Sequence, residues 1–140
     1  MKLTGCCLPY GDSKYHDAIM PGAFAHQEGM SVPLVNDFMG GSMENVIGHV
    51  VLHNTEEGVM CDLYFNEQYL KKAMESYSSI ENLYWALAKL YRIGAWAVGL
   101  KRESVINHTK GGSSFVVIGG DIRAVAMNRY GLEGIRIVEE

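Results

Sequence analysis

The sequence predicts an α+β domain: a small, mostly antiparallel β-barrel of about seven strands, with two helices between a hairpin and the later strands. Three observations lead there. Short segments that alternate in polarity or run β-branched recur along the chain, bounded by Gly, Pro, Asn and Ser. Two stretches in the middle have apolar residues at helical spacing instead. No internal repeat or low-complexity tract interrupts this order.

Taken in order, residues 3–8 read as a first strand and residues 10–13 as a turn. Pro21-Gly22 fixes a sharp turn, because proline presets φ and glycine accepts a positive one. Residues 23–27 have room for one or two helical turns, stopped at Gly29. Residues 31–35 form a strand with Pro33 inside it, which implies an edge or a bulge. A loop with Gly40 and Gly41 precedes an apolar strand over 46–53. A polar turn at 54–58 then gives the clearest hairpin. Val59, Cys61, Leu63 and Phe65 fall on one face of its second strand, with Met60, Asp62 and Tyr64 on the other.

Asn66 is placed to cap a helix in which Tyr69, Leu70, Ala73, Met74 and Tyr77 share a face. Ser78-Ser79 breaks it, and Ser79 can cap a second helix carrying Leu83, Tyr84, Leu87, Leu90 and Tyr91 and ending near Arg92. Residues 94–100 return to strand, 101–114 read as a polar, Gly-rich loop, and 114–118 as strand. Gly119-Gly120 reads as a turn. Residues 121–127 form another strand, with Ile122, Ala124 and Ala126 alternating against Arg123, Val125 and Met127. After a turn at Tyr130-Gly131, a last strand covers 132–138.

Composition bounds the function classes. A chain of 140 residues, 48% hydrophobic and 20% charged, is expected to form a single domain over 1–140. A net charge of −4 does not suggest a nucleic-acid binder. No apolar run approaches the length of a membrane span, and the opening MKLTGCCLPYGD turns polar too soon for a secretory signal. The odd count of 3 cysteines, with Cys6 and Cys7 adjacent, points to free thiols rather than a disulfide framework. No paired Cys/His clusters suggest zinc, and no cofactor is expected. His49 and His53 lie in strand, where four residues span about 13 Å, too far apart for one metal ion. The glycine pairs lack the context of a phosphate loop, and His16, His26, His108 and Asp37 suggest no role.

The motifs PGAF (21–24), VPLV (32–35) and ENVIGHV (44–50), followed by GAWAVGLK (94–101) and GGDIRAVAM (119–127), occur in an order that resembles the tailed-phage prohead protease family. Those serine proteases mature phage heads and are related in fold to the herpesvirus assembly protease. The resemblance covers roughly residues 3–137 and is strongest from 19 to 65. The helical segment between Asn66 and Arg92 looks longer than in close relatives.

The resemblance implies three catalytic slots. The histidine slot falls on Phe38, the serine slot on Gly94, and an acidic slot on Ala124. A serine is a poor nucleophile until an oriented base takes its proton. Phe38 cannot accept a proton, Gly94 has no hydroxyl, and Ala124 can orient nothing. The expectation is therefore a catalytically degenerate member that works by protein binding. It would act in prohead assembly or as a capsid-associated protein, in the host cytoplasm or, if retained, in the virion. Phage head proteins or further copies of the chain are the implied partners, without nucleic acid or membrane. Two alternatives stay open: an active endopeptidase with a rearranged site, such as Ser104 with His108 or a site using Ser113, and an accessory protein that blocks a host protein. Tyr69, Tyr77, Tyr84, Trp85, Tyr91 and Trp96 exceed what one buried helix face needs. Tyr77, Tyr84, Trp85 and Tyr91 are the candidate binding residues.

Overall fold

The computed structural model of the chain describes residues 1–12, 17–36, 45–107, 112–129 and 133–139. Among them run β1 (Lys2–Pro9), β2 (Ala18–Ile19), β3 (Ser31–Val35), β4 (Val46–Asn54), β5 (Gly58–Phe65), α1 (Glu67–Ala73), α2 (Ile80–Leu90), β6 (Arg92–Asn107), β7 (Gly112–Asn128) and β8 (Glu133–Val138). Seven strands close a barrel in the order β7-β3-β4-β5-β1-β8-β6, with β6 pairing back onto β7. The ladders are antiparallel, apart from the parallel pairings of β3 and of the short β2 with β7. The α+β barrel that the sequence predicts is the architecture observed.

Local chemistry accounts for most elements. Ala23 N–H donates to the Met20 carbonyl and closes the Pro21-Gly22 turn. A 3-10 turn at Ala25–Gln27 follows. Pro33 lies where β3 pairs with β4, while the β7 pairing is confined to Leu34 and Val35, and a register shift falls between those two residues. The β4–β5 hairpin keeps its alternation, burying Val59, Cys61 and Leu63. Asn66 accepts from Tyr69 N at 2.7 Å and Ser79 from Asn82 N at 3.1 Å, so both predicted caps form. Leu83 and Leu87, one turn apart, are the buried residues of α2.

Four expectations are corrected. Residues 101–114 do not form a loop over their described part: β6 and β7 continue as a paired arm, from Lys101↔Gly119 to Asn107↔Gly112. The two strands satisfy each other's backbone groups whatever their side chains are. Lys101, Arg102, Glu103 and Ser104 are all exposed, which removes the alternation that announces a strand. Gly119-Gly120 is not a turn but lies inside β7. A Cβ at Gly120 would sit 2.8 Å from Leu100 Cδ2 and 3.2 Å from Phe24 Cε1, so glycine serves close packing there. α1 ends at Ala73 rather than Tyr77. Bonds from Ser76 to Ala73 and from Tyr77 to Met74 tighten the chain after it into i→i+3 turns. The alternation read over 121–127 also misses that Ala124, Val125, Ala126 and Met127 are all buried, so both faces of β7 are covered there.

Nothing in the sequence announces the role of Gln27. It is buried, and its amide grips the β7 backbone: Nε2 donates to Ile122 O at 3.0 Å and Oε1 accepts from Ile122 N at 2.7 Å. Along β7, β2 pairs at 116–117 and β3 at 125–126. The Gln27 side chain therefore fills the gap between two strand partners.

Candidate functional site

The β3–β7–β6 wall brings two of the slot residues, Gly94 and Ala124, into one neighbourhood. Val35 pairs with Ala126, and Ala126 pairs with Gly94 on its other side. Ala124 lies opposite Trp96, two residues along the same ladder. Gly94 and Ala124 are thus diagonal neighbours, about 7 Å apart by ladder geometry. Phe38 lies outside the described residues; Asn36, two positions before it, continues the row from Val35.

The chemistry in this row is apolar. A Cβ added at Gly94 would meet nothing within 4 Å, so the position faces open space. Ala124 is buried. From Ile93 to Leu100 the sequence is IGAWAVGL, with no hydroxyl or thiol at any position. A different alignment of the serine slot along this run supplies no nucleophile either.

The described histidines are engaged elsewhere. His26 Nε2 lies 3.0 Å from Asp121 Oδ1, and His49 stacks on Tyr64 with ring centroids 5.1 Å apart. His53 Nε2 is 3.2 Å from Asp62 Oδ2, and its Nδ1 is 3.8 Å from Glu28 Oε2. Two histidines therefore lie against carboxylates, but among the described residues no serine or cysteine is hydrogen-bonded to either ring. Ser104 is exposed on the β6 arm. His108 and the Ser113 side chain lie outside the described residues.

The thiols are equally unsuited to attack. Cys7 is buried and donates to Val59 O at 3.4 Å, and its pKa is driven well above normal by its contact with Cys61 and by burial. Burial, aided by the neighbouring Cys7, pushes the Cys6 thiol up to about 11. Among the described residues, no three His, Cys, Asp or Glu side chains are arranged to hold a metal ion. No described helix is long and apolar enough to cross a membrane.

Next to the row lies a cleft of about 670 Å³ lined by Asn36, Asn45, Asn66, Tyr69, Lys72 and Tyr91, among others. Asn36 follows Val35, and Tyr91 lies three residues before Gly94, so the cleft opens where the row ends. Its walls combine amides, phenol rings and one ammonium. Tyr69 stacks on Phe65 at 5.1 Å, and Arg129 sits 5.9 Å from the Tyr91 ring centroid. Desolvation by burial raises the Tyr69 pKa.

The four candidate aromatics do not form one patch. Tyr77 and Tyr84 pack half-buried against the core, and Tyr84 lies 6.2 Å from the Phe65 ring. Tyr91 belongs to the cleft, whereas Trp85 is 63% exposed in a separate groove against β8. Sequence reasoning missed the amides Asn36, Asn45 and Gln68 of the cleft, because surface amides scattered over three segments carry no local pattern.

Compared with known protein families, curated proteins and solved structures, the chain gives no match.

Proposed function

We propose that this chain is a prohead-protease-like domain without peptidase chemistry, which binds protein during phage capsid assembly or as a capsid-associated component. The observation that supports this reading is the β3–β7–β6 row. Two of the three slots of the resemblance are neighbours there, none of its described positions offers a nucleophile or base, and a cleft opens beside it. Catalysis needs a nucleophile and a base in hydrogen-bond reach. Binding needs only the cleft. Side-chain amides such as Asn36, Asn45 and Gln68 suit the peptide groups of a protein segment, and the tyrosines supply apolar faces.

The test is co-expression of the full chain with the capsid and scaffolding proteins of the phage or prophage that encodes it. The expected result is a stable complex by size exclusion with the capsid protein uncut, weakened by Lys72→Glu and by Gln68→Ala. Cleavage that disappears with Ser104→Ala or Ser113→Ala would overturn the reading and establish the rearranged peptidase. Failure to bind any head protein, together with capture of one host protein at the same cleft, would favour the accessory inhibitor instead.

A further inference from the structure

β8 fills only one end of the space between β1 and β6. It pairs with β1 from Lys2 to Gly5 and with β6 at Arg92 and Ile93. Both neighbours run on in the same direction past the start of β8, β1 to Pro9 and β6 through Ala95 to Leu100. Among the described residues, no strand pairs between them there. A cavity of about 270 Å³ occupies that stretch, with Leu8 of β1 on one side and Ala95, Ala97 and Leu100 of β6 on the other.

Its floor belongs to the core: Phe24, Val117 and Ile19 are 1%, 3% and 5% exposed. These walls are fixed by contacts of their own. Phe24 N–H donates to Tyr10 Oη at 3.3 Å, Met20 N–H ties the end of β2 to Val117 O at 2.8 Å, and Gly120 lets Leu100 and Phe24 close on its backbone. The space stays unfilled because two of the β6 residues lining it are alanines, whose methyl groups are too short to reach across. Apolar walls that face each other across a gap forfeit the dispersion contacts of a packed interior, and they offer water few partners. At the rim stand Asp17 and Arg102. Arg102 Nε donates to Asp17 Oδ2 at 2.9 Å, so the two charges balance. That bond uses one of the five N–H donors of the guanidinium.

We propose that this cavity binds a compact, uncharged small molecule: an aromatic or branched aliphatic body carrying one hydroxyl. The body rests on Phe24, Val117 and Leu100, and the hydroxyl meets the Asp17–Arg102 pair, where the guanidinium donates to it. Size makes the ligand compact, since the volume falls just below the roughly 300–1,000 Å³ of pockets for drug-sized molecules. The balanced rim makes it neutral. A carboxylate there meets Asp17 and an ammonium meets Arg102, and either leaves water without an unopposed partner. The inference draws nothing from the protease resemblance and holds whether or not the chain is a pseudoprotease.

The test titrates the full isotope-labelled chain with three probes of one shape: 4-propylphenol, 4-propylbenzoate and 4-propylbenzylamine. The expected result is saturable binding of the phenol, at least tenfold tighter than either charged probe. Its shifts fall on the Trp96 indole, which lines the cavity, and spare the Trp85 indole, which lines a separate groove. Ala97→Leu fills the space and weakens the phenol at least tenfold. Ala95→Val is a smaller addition with the same direction of effect, and it replaces Ala97→Leu if the amide spectrum shows that variant unfolded. Asp17→Asn removes the counter-charge of Arg102 and tightens the benzoate at least tenfold. The proposal is overturned if the phenol does not saturate, if the three probes bind alike, if a folded cavity-filling variant binds as wild type does, or if Asp17→Asn leaves the benzoate unchanged.

Discussion

Removing the Gln27 amide tests how the barrel wall is held together. In Gln27→Ala, the N–H and C=O of Ile122 lose partners at 2.7 and 3.0 Å in a buried setting. Each orphaned group costs roughly 1–3 kcal/mol, so the loss is about 4 kcal/mol in all. For a chain of this size that lowers Tm by roughly 12 °C. Urea unfolding followed by Trp fluorescence measures the difference directly. Gln27→Glu adds a sign test. Its carboxylate can still accept from Ile122 N, but its second oxygen confronts Ile122 O, and only the protonated acid can donate there. The folded-state pKa of that carboxyl is therefore raised above its unfolded value of about 4.3. The destabilisation relative to wild type is full above the folded pKa and shrinks as pH falls through it. If Gln27→Ala stays within about 1 kcal/mol of wild type, or the Gln27→Glu deficit is independent of pH, the clamp does not hold the wall.

Two glycines on the barrel should respond oppositely to a methyl group. At Gly48 a Cβ would lie 1.9 Å from Tyr64 O and 2.9 Å from Phe65 Cα, both backbone atoms fixed in the β4–β5 ladder, so Gly48→Ala should cost about 3 kcal/mol or more in thermal unfolding. At Gly94 nothing lies within 4 Å, and Gly94→Ala should be neutral or gain about 0.5 kcal/mol. Cys6, with its thiol pushed up to about 11, carries about a hundredfold less thiolate at pH 8 than a thiol at 9.0, and alkylation with iodoacetamide should slow accordingly until the chain is unfolded in urea.

What could be read from the chain was set by short-range chemistry. The β4–β5 alternation, the Asn66 and Ser79 caps and the Pro21-Gly22 turn each depend on residues within a few positions of one another. The slots were legible only through resemblance. Their chemistry was plain, since no hydroxyl stands between Ile93 and Leu100, but their proximity was not. Gly94 and Ala124 meet because β6 and β7 pair, and Val35 joins them through a parallel ladder whose partners are 91 positions apart. The β6 side of the arm went unread because Lys101, Arg102, Glu103 and Ser104 are all exposed and carry no alternation, while the paired backbones satisfy each other's hydrogen bonds.

The sequence alone determined most of the elements and their order, and the extents of β3, β4, β5 and α2 to within a residue or two. Those follow from the periods of helix and strand and from side chains bonding their own backbone neighbours. Only the tertiary structure decided that the strands close into a barrel, that an amide from the 3-10 turn completes the edge of β7, and that Trp85 faces a groove apart from the other aromatics. Each of those depends on which distant backbone groups are left without partners once the ladders form. That is a property of the assembled sheet and has no counterpart in any single stretch of residues.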